Sequence, residues 1–227
     1  MLIKNGLVFR EDFSLREGDV YTEFDRIIEP KQQLDVLDAS GCIVAPGFID
    51  IHIHGANRSD FCENSLEAHA NIARYLASVG VTSYLGTTMA MKKPALLDMV
   101  RTAGKFMDHP TQDGAIMRGI NLEGPFASLE KKGAMDPNNL IDPDYDFFIQ
   151  LNDACDGRIR LNDVAPELPG ALDLIARTSK ICVVSLHHTA ADYELAKKAF
   201  MLGASHVTHL YNAMSGFSHR APGLIGA

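Results

Sequence analysis

Two histidines stand one residue apart in FIDIHIHG, at His52 and His54. Side chains alternate along an extended chain, so both imidazoles leave the same face, a geometry in which two nitrogens reach one ion. Three more groups that bind metals or carry protons follow at wide spacing: Glu123 in LEGPF, His188 in SLHHTA and His209 in VTHLYNAM. Imidazoles with one carboxylate make the donor set of a catalytic zinc or similar divalent site, which keeps one position open for water. Taken singly, each has a plainer explanation: a solvated H-x-H pair, or a glutamate in an ordinary surface ion pair. What singles them out is a shared position, because each ends an apolar segment with strand character. The other histidines read differently. His187 and His188 do not both point inward from an extended segment, so one of them is structural. His206 lies out of phase with His209 and is read as structural. His69, on a polar helix face, and His109, beside Pro110, are read as solvent-facing, and His219 is left open.

The segments that must position these groups follow an alternating pattern. Apolar, β-branched runs predict strands over 48–54, 81–87, 115–122, 158–164, 181–186 and 205–210. Helical spacing appears over 66–79, with Leu66, Ala70, Ala73, Leu76 and Ala77 on one side, and over 94–107, where Pro94 suits a first turn. Further helices are predicted over 171–178 and 192–202. Strands alternating with helices imply parallel βα units, whose strand ends share one rim, where the sites of α/β proteins lie. A closed (β/α)8 barrel needs eight units and about 250 residues. The six units read over 49–227 therefore fit either an open doubly wound sheet or an incomplete barrel with two open edges. Residues 1–48 have another texture: short strands at 2–9, 19–29, 36–38 and 42–44, punctuated by Gly18, Pro30 and Gly41, which reads as part of a small β-domain.

Composition excludes several classes. In 227 residues, 46% are hydrophobic and 22% charged, as in a packed globular chain and unlike a disordered one. The formal net charge of −8 opposes a broad nucleic-acid footprint. No apolar run suits a membrane span or a signal peptide, and the four cysteines form no C-x-x-C pair, so a cytoplasmic protein with reduced thiols is expected.

Several motifs together carry a resemblance. DASGCIVAPGFIDIHIHG (38–55) resembles the opening signature of the amidohydrolase superfamily. LEGPF, KKGAMDP (131–137), HHTAA (187–191), THLYNAM (208–214) and HRAPGLIGA (219–227) resemble, in the same order, the N-acetylglucosamine-6-phosphate deacetylase family. The resemblance implies an α/β fold: a TIM-like (β/α)8 barrel, incomplete in this chain, with a small β-sandwich portion at residues 1–48. It implies a divalent metal, zinc first, with iron, manganese or cobalt as alternatives, at one or two per subunit. Glu123, His188 and His209 match ligands of the principal metal; His52 and His54 match ligands of a second metal where family members keep it. Ala134 and Met135 fall on the substrate loop, Asn212 and Ala213 at a backbone contact to substrate, and Arg220 at the arginine that binds the sugar phosphate. The implied reaction is hydrolysis of the acetamido group of N-acetylglucosamine 6-phosphate to glucosamine 6-phosphate and acetate, by a cytoplasmic homodimer that takes a small phosphorylated amino sugar and neither nucleic acid nor membrane.

Two departures accompany it. Family members usually carry histidine where this chain has Met135, whose thioether donates no hydrogen bond, and this leaves open an amino-sugar phosphate of galactosamine type. The family's catalytic aspartate falls beyond residue 227, so no catalytic residue is assigned and a metal-binding fragment without turnover is an alternative. A cyclic amide hydrolase is a further alternative. Such enzymes commonly use a carbamylated lysine near the fourth strand, and RIRLNDVAPEL contains none.

Overall fold

The computed structural model describes residues 1–24, 26–31 and 34–227. They form two compact units, Met1–Gly47 and Phe48–Ala227. In the first, β1 (Leu2–Phe9) pairs antiparallel with β2 (Leu15–Glu23), and β2 with β3 (Arg26–Ile27). Strands β4 (Val36–Asp38) and β5 (Ile43–Val44) both run parallel to β1, which completes one five-stranded sheet. Residues 19–29 were expected as one strand. Phe24, at φ 53, instead ends the extended run just after β2, and β3 folds back on it.

The second unit begins with β6 (Phe48–Ile53) and a small hairpin of β7 (Gly55–Ala56) and β8 (Ser59–Asp60). Then come α1 (Leu66–Ser78), β9 (Val81–Thr87), α2 (Lys93–Asp108), β10 (Ile116–Leu122), α3 (Tyr145–Ala154) and β11 (Ile159–Val164). The chain continues through α4 (Ala171–Thr178), β12 (Val183–Leu186), α5 (Tyr193–Met201), β13 (Ala204–Val207) and the single turn α6 (Gly223–Gly226). The larger sheet has the order β13-β12-β11-β10-β9-β6, and every pairing in it is parallel. A doubly wound sheet reverses direction at a switch point. Here each strand lies beside the one that precedes it in the sheet, which is the winding of a (β/α)8 barrel, with six strands present.

Local chemistry explains the helices. Ser65 caps α1 by accepting from the Ala68 N–H, and Asp192 caps α5 by accepting from Leu195. Helix α3 was not anticipated, yet it carries the signals of one: Asp144 accepts from the Phe147 N–H at its start, and Phe147, Phe148 and Leu151 are buried along one stripe. In α1 Ala70, Ala73 and Leu76 are buried as expected, but the stripe also takes in Ala68, His69 and Ile72, and Leu66 is half exposed. His69 is therefore in the core and not at the surface. Its ring lies 4.8 Å from that of Phe61 and 5.6 Å from that of Phe106, and burial pushes its pKa down to about 4. The core under the sheet takes Leu96, Met99, Val100 and Ala103 from α2 and Leu174 and Ile175 from α4, all essentially inaccessible to solvent. Truncating any one of its large aliphatic side chains to alanine is expected to cost about 2–5 kcal/mol. A packed rear face of this kind lets the front rim hold polar groups in place.

Candidate metal centre

The chemistry-bearing residues sit at or just past the ends of four strands. His52 lies in β6 and His54 just after it; the Ile53 N–H between them donates to Thr87 Oγ1 at 2.9 Å, tying β6 to the end of β9. Glu123 follows β10 directly, and the Thr88 hydroxyl donates to its carbonyl at 2.9 Å. The next residue must be glycine. Gly124 has φ 61, and a Cβ there would lie 2.8 Å from the Ala90 nitrogen. His188 and His209 both lie two residues past their strands, at φ 37 and 33. Strand character expected through 205–210 stops at Val207, and left-handed backbone at His209 directs its ring.

The five side chains converge. His52 and His54 bring Nε2 to 3.1 and 2.8 Å from Glu123 Oε2, while His188 and His209 bring theirs to 3.2 and 3.5 Å from Oε1. The Nε2 atoms of His52 and His54 are 3.2 Å apart, and those of His188 and His209 3.1 Å. The donor set has the character of a cation site for a specific reason. His188 Nδ1–H donates to the Lys131 carbonyl at 2.6 Å, and His209 Nδ1–H to the Asn212 carbonyl at 3.1 Å. A carbonyl only accepts, so in each neutral ring the proton is on Nδ1 and Nε2 presents a bare lone pair. Two such lone pairs then face each other and a carboxylate oxygen, which is a repulsive arrangement without a proton or a metal ion between them. Glu123 Oε2 is buried with no well-directed hydrogen bond despite its two imidazole neighbours. Two groups of three donors, His52–His54–Glu123 and Glu123–His188–His209, are each compact enough to hold a metal ion.

The protonation balance agrees with this electrostatics. Burial alone would raise the Glu123 pKa, but the surrounding imidazoles hold it far below the ordinary carboxylate range. Glu123 in turn raises His209, and at His54 its pull outweighs the burial that opposes charging.

A second polar layer lies deeper. His187 was set against His188 as one inward ring and one structural ring. The backbone at His188 is not extended, however, and the two rings lie 5.1 Å apart. His187 is fully buried, with Nδ1 3.8 Å from Asp163 Oδ2, and these two join Glu123 in a third group of possible donors. Burial pushes the Asp163 carboxyl well above the ordinary carboxylate range and His187 down to about 3. The Thr208 hydroxyl donates to Asp163 Oδ1 at 2.8 Å, and Ser185 bridges Thr208 and His206 Nδ1 at 2.6 and 2.9 Å. His206 is thus a half-buried hydrogen-bonding partner in this network.

Of the residues read as touching substrate, Ala134 is exposed, whereas Met135 is 2% exposed and packs with Ala90 and Ala127. Asn212 is exposed and gives its carbonyl to His209; Ala213 gives its own to the Thr189 N–H at 3.1 Å. Arg220 is exposed and lines a cleft of about 470 Å3 with Asp192, Tyr193, Ser215 and Pro222. The sequence offered no sign of Lys131, whose main-chain oxygen orients His188. Backbone atoms leave no signature in residue type.

Residues 43–225 match the model of the amidohydrolase family, and the chain belongs to that family. Within it, the chain is similar to the N-acetylglucosamine-6-phosphate deacetylases. It is 35% identical to that of Bacillus subtilis over 230 residues and 34% identical to that of Bos taurus over 232, in each case across 99% of this chain and 56% of the relative. A mutant N-acetyl-D-glucosamine-6-phosphate deacetylase from Mycobacterium smegmatis, solved in complex with N-acetyl-D-glucosamine-6-phosphate, superposes with a TM-score of 0.86 at 28% identity, over 99% of this chain and 59% of that one. The chain therefore spans less than two thirds of the length of each of these three proteins.

Proposed function

We propose that Glu123, His188 and His209 hold a divalent metal, zinc foremost, that His52 and His54 with Glu123 offer a second seat, and that the centre serves hydrolysis of the acetamido group of N-acetylglucosamine 6-phosphate. The observation that carries this reading is the pair of bare Nε2 lone pairs aimed at a buried carboxylate. A divalent metal held there supplies Lewis acidity toward the amide carbonyl and acidifies a water. The side chains of this sequence do the rest. The tied imidazoles keep their nitrogens aimed, and Glu123, anionic at all ordinary pH, offers one oxygen to each seat. Arg220 gives a permanently charged, forked donor set suited to the sugar phosphate. In this reading the exposed Ala134 and Asn212 meet the sugar, and Met135 contributes packing, with its amide turned to the Lys132 carbonyl at 3.0 Å. The resemblance assigns the proton-carrying aspartate to a position after residue 227, so no proton transfer is given to a side chain here. We further infer that the five-stranded sheet of the first unit is one layer of a small β-sandwich, and that the enzyme is a cytoplasmic homodimer.

The test is metal analysis combined with an amine-release assay on N-acetylglucosamine 6-phosphate, its unphosphorylated sugar and the galactosamine epimer. Bound zinc with turnover restricted to the phosphorylated glucosamine compound is expected. Preference for the epimer would move the reading to the galactosamine type, in keeping with Met135. A metal-loaded, full-length form of the protein that hydrolyses none of the three would overturn it. Arg220→Ala in that form should raise KM for the phosphorylated sugar and leave the unphosphorylated one unaffected; an equal effect on both would remove the phosphate role.

A further inference from the structure

Glu167 lies in the turn between β11 and α4, half-buried, and in no motif that points to a metal. Both of its carboxylate oxygens are engaged by the residues that follow His188. The Thr189 hydroxyl donates to Oε2 at 2.5 Å, and the Ala190 N–H donates to Oε1 at 2.6 Å. Thr189 is fully buried; its Oγ1 also accepts from the Ala191 N–H at 2.9 Å, and its own N–H donates to the Ala213 carbonyl at 3.1 Å. Its backbone bridges that of Met214. One carboxylate thus grips the residue immediately after His188 and, through Thr189, the segment that carries the Asn212 carbonyl on which His209 depends.

Such a grip is needed here. His188 sits at φ 37, a left-handed conformation that an ordinary L-residue adopts only where surrounding contacts keep it there. Charge-assisted bonds to a carboxylate are the strong kind. Strand β11 itself ends at Val164, and its Asp163 belongs to the deeper layer beside His187. We infer that Glu167 is a positioning residue for the metal centre. It holds the 188–190 turn so that His188 Nε2 faces Glu123, and it couples that turn to the 209–214 segment. This rests on the metal centre proposed above.

The experiment compares wild type, Glu167→Ala, Glu167→Gln and Thr189→Val by zinc affinity, measured in competition with a chromophoric chelator, and by the visible spectrum of the cobalt-loaded protein. Glu167→Ala should lose roughly 10–100-fold in zinc affinity, the usual effect of removing an outer hydrogen-bonding partner, and shift the cobalt bands. Glu167→Gln keeps an oxygen for Ala190 and a polar group for the threonine hydroxyl, and should recover most of the loss. A role confined to stability would lower the melting temperature of the metal-free protein while leaving affinity and spectrum unchanged, and that result overturns the inference. If Glu167→Ala does not fold, Thr189→Val decides: a smaller loss in the same direction supports the inference, and wild-type affinity overturns it. Wild-type protein that takes up neither zinc nor cobalt would sink the metal centre itself, an outcome distinct from metal binding that is indifferent to residue 167.

Discussion

On the Oε1 side of Glu123 stand His188 and His209, each with Nδ1 tied to a main-chain carbonyl. On the Oε2 side stand His52 and His54, and among the described residues the buried Nδ1 of His54 has no well-directed hydrogen bond. The first pair comes from turns gripped by neighbouring segments and the second from the strand at one edge of the sheet. Exposure follows the same division at its extremes: the His188 side chain is 9% exposed and that of His54 35%. A ring whose outer nitrogen is satisfied has a defined tautomer and a raised ligand basicity; a ring without that bond must find both on binding. The two halves of one carboxylate site are therefore unequal, and the Oε1 half is the preorganised one.

The largest test removes what the halves share. Glu123→Ala should abolish bound metal in both seats, because three-donor sites tolerate the loss of a ligand poorly; undiminished stoichiometry by elemental analysis would take Glu123 out of the centre. Next, His209→Ala should weaken the tighter zinc by more than the roughly 10–100-fold that loss of an outer partner costs. His54→Ala should leave that affinity nearly intact and remove only a weaker second event in a calorimetric titration. Equal losses in the two variants would erase the asymmetry. A narrower probe is Gly133, at φ 56, where an added Cβ would come 3.1 Å from His188 Cε1. Gly133→Ala should disturb only the Oε1 half and destabilise the fold by about 1–2 kcal/mol, readable by chemical denaturation alongside zinc affinity.

The smallest effect is the pH dependence of the metal-free chain, where the halves should behave alike. His54 and His209 both have raised pKa values, so their contribution is complete below their ordinary 6.5 and is lost as pH rises through the raised values. Glu123 is shifted down, so its contribution is complete above about 4.5 and fades only in strong acid. The melting temperature in chelator should therefore fall by a few degrees as pH rises above about 6.5, modestly because both rings are partly exposed. Saturating zinc should reverse the trend, since it binds the deprotonated rings. A flat profile in chelator would show that these imidazoles do not feel Glu123 as the geometry requires.

Much of this centre was legible in residue order. The six strands are those the apolar runs predict, and their parallel sequence brings His52, His54, Glu123, His188 and His209 to one rim, because each crossover returns the chain to the same end of the sheet. Less legible were features set by phase and by backbone. His69 was misplaced because α1 buries a wider stripe than its apolar spacing suggests, and the pair His187 and His188 was read on an extended backbone where His188 adopts a left-handed turn. Glu167 gave no sign because its partners are a hydroxyl and an amide more than twenty residues away, |i−j| = 22 and 23.

By itself, the sequence determined which groups are available for chemistry, the alternation that makes a parallel sheet, and the family to which the chain belongs. Tertiary structure alone decided that the strands wind in one direction, that Glu123 lies between two imidazole pairs, and which nitrogen of each ring is free. The reason is physical. A side chain's type is written locally, but a tautomer is set by whichever acceptor reaches the other nitrogen, and for His188 that acceptor lies 57 residues away at Lys131.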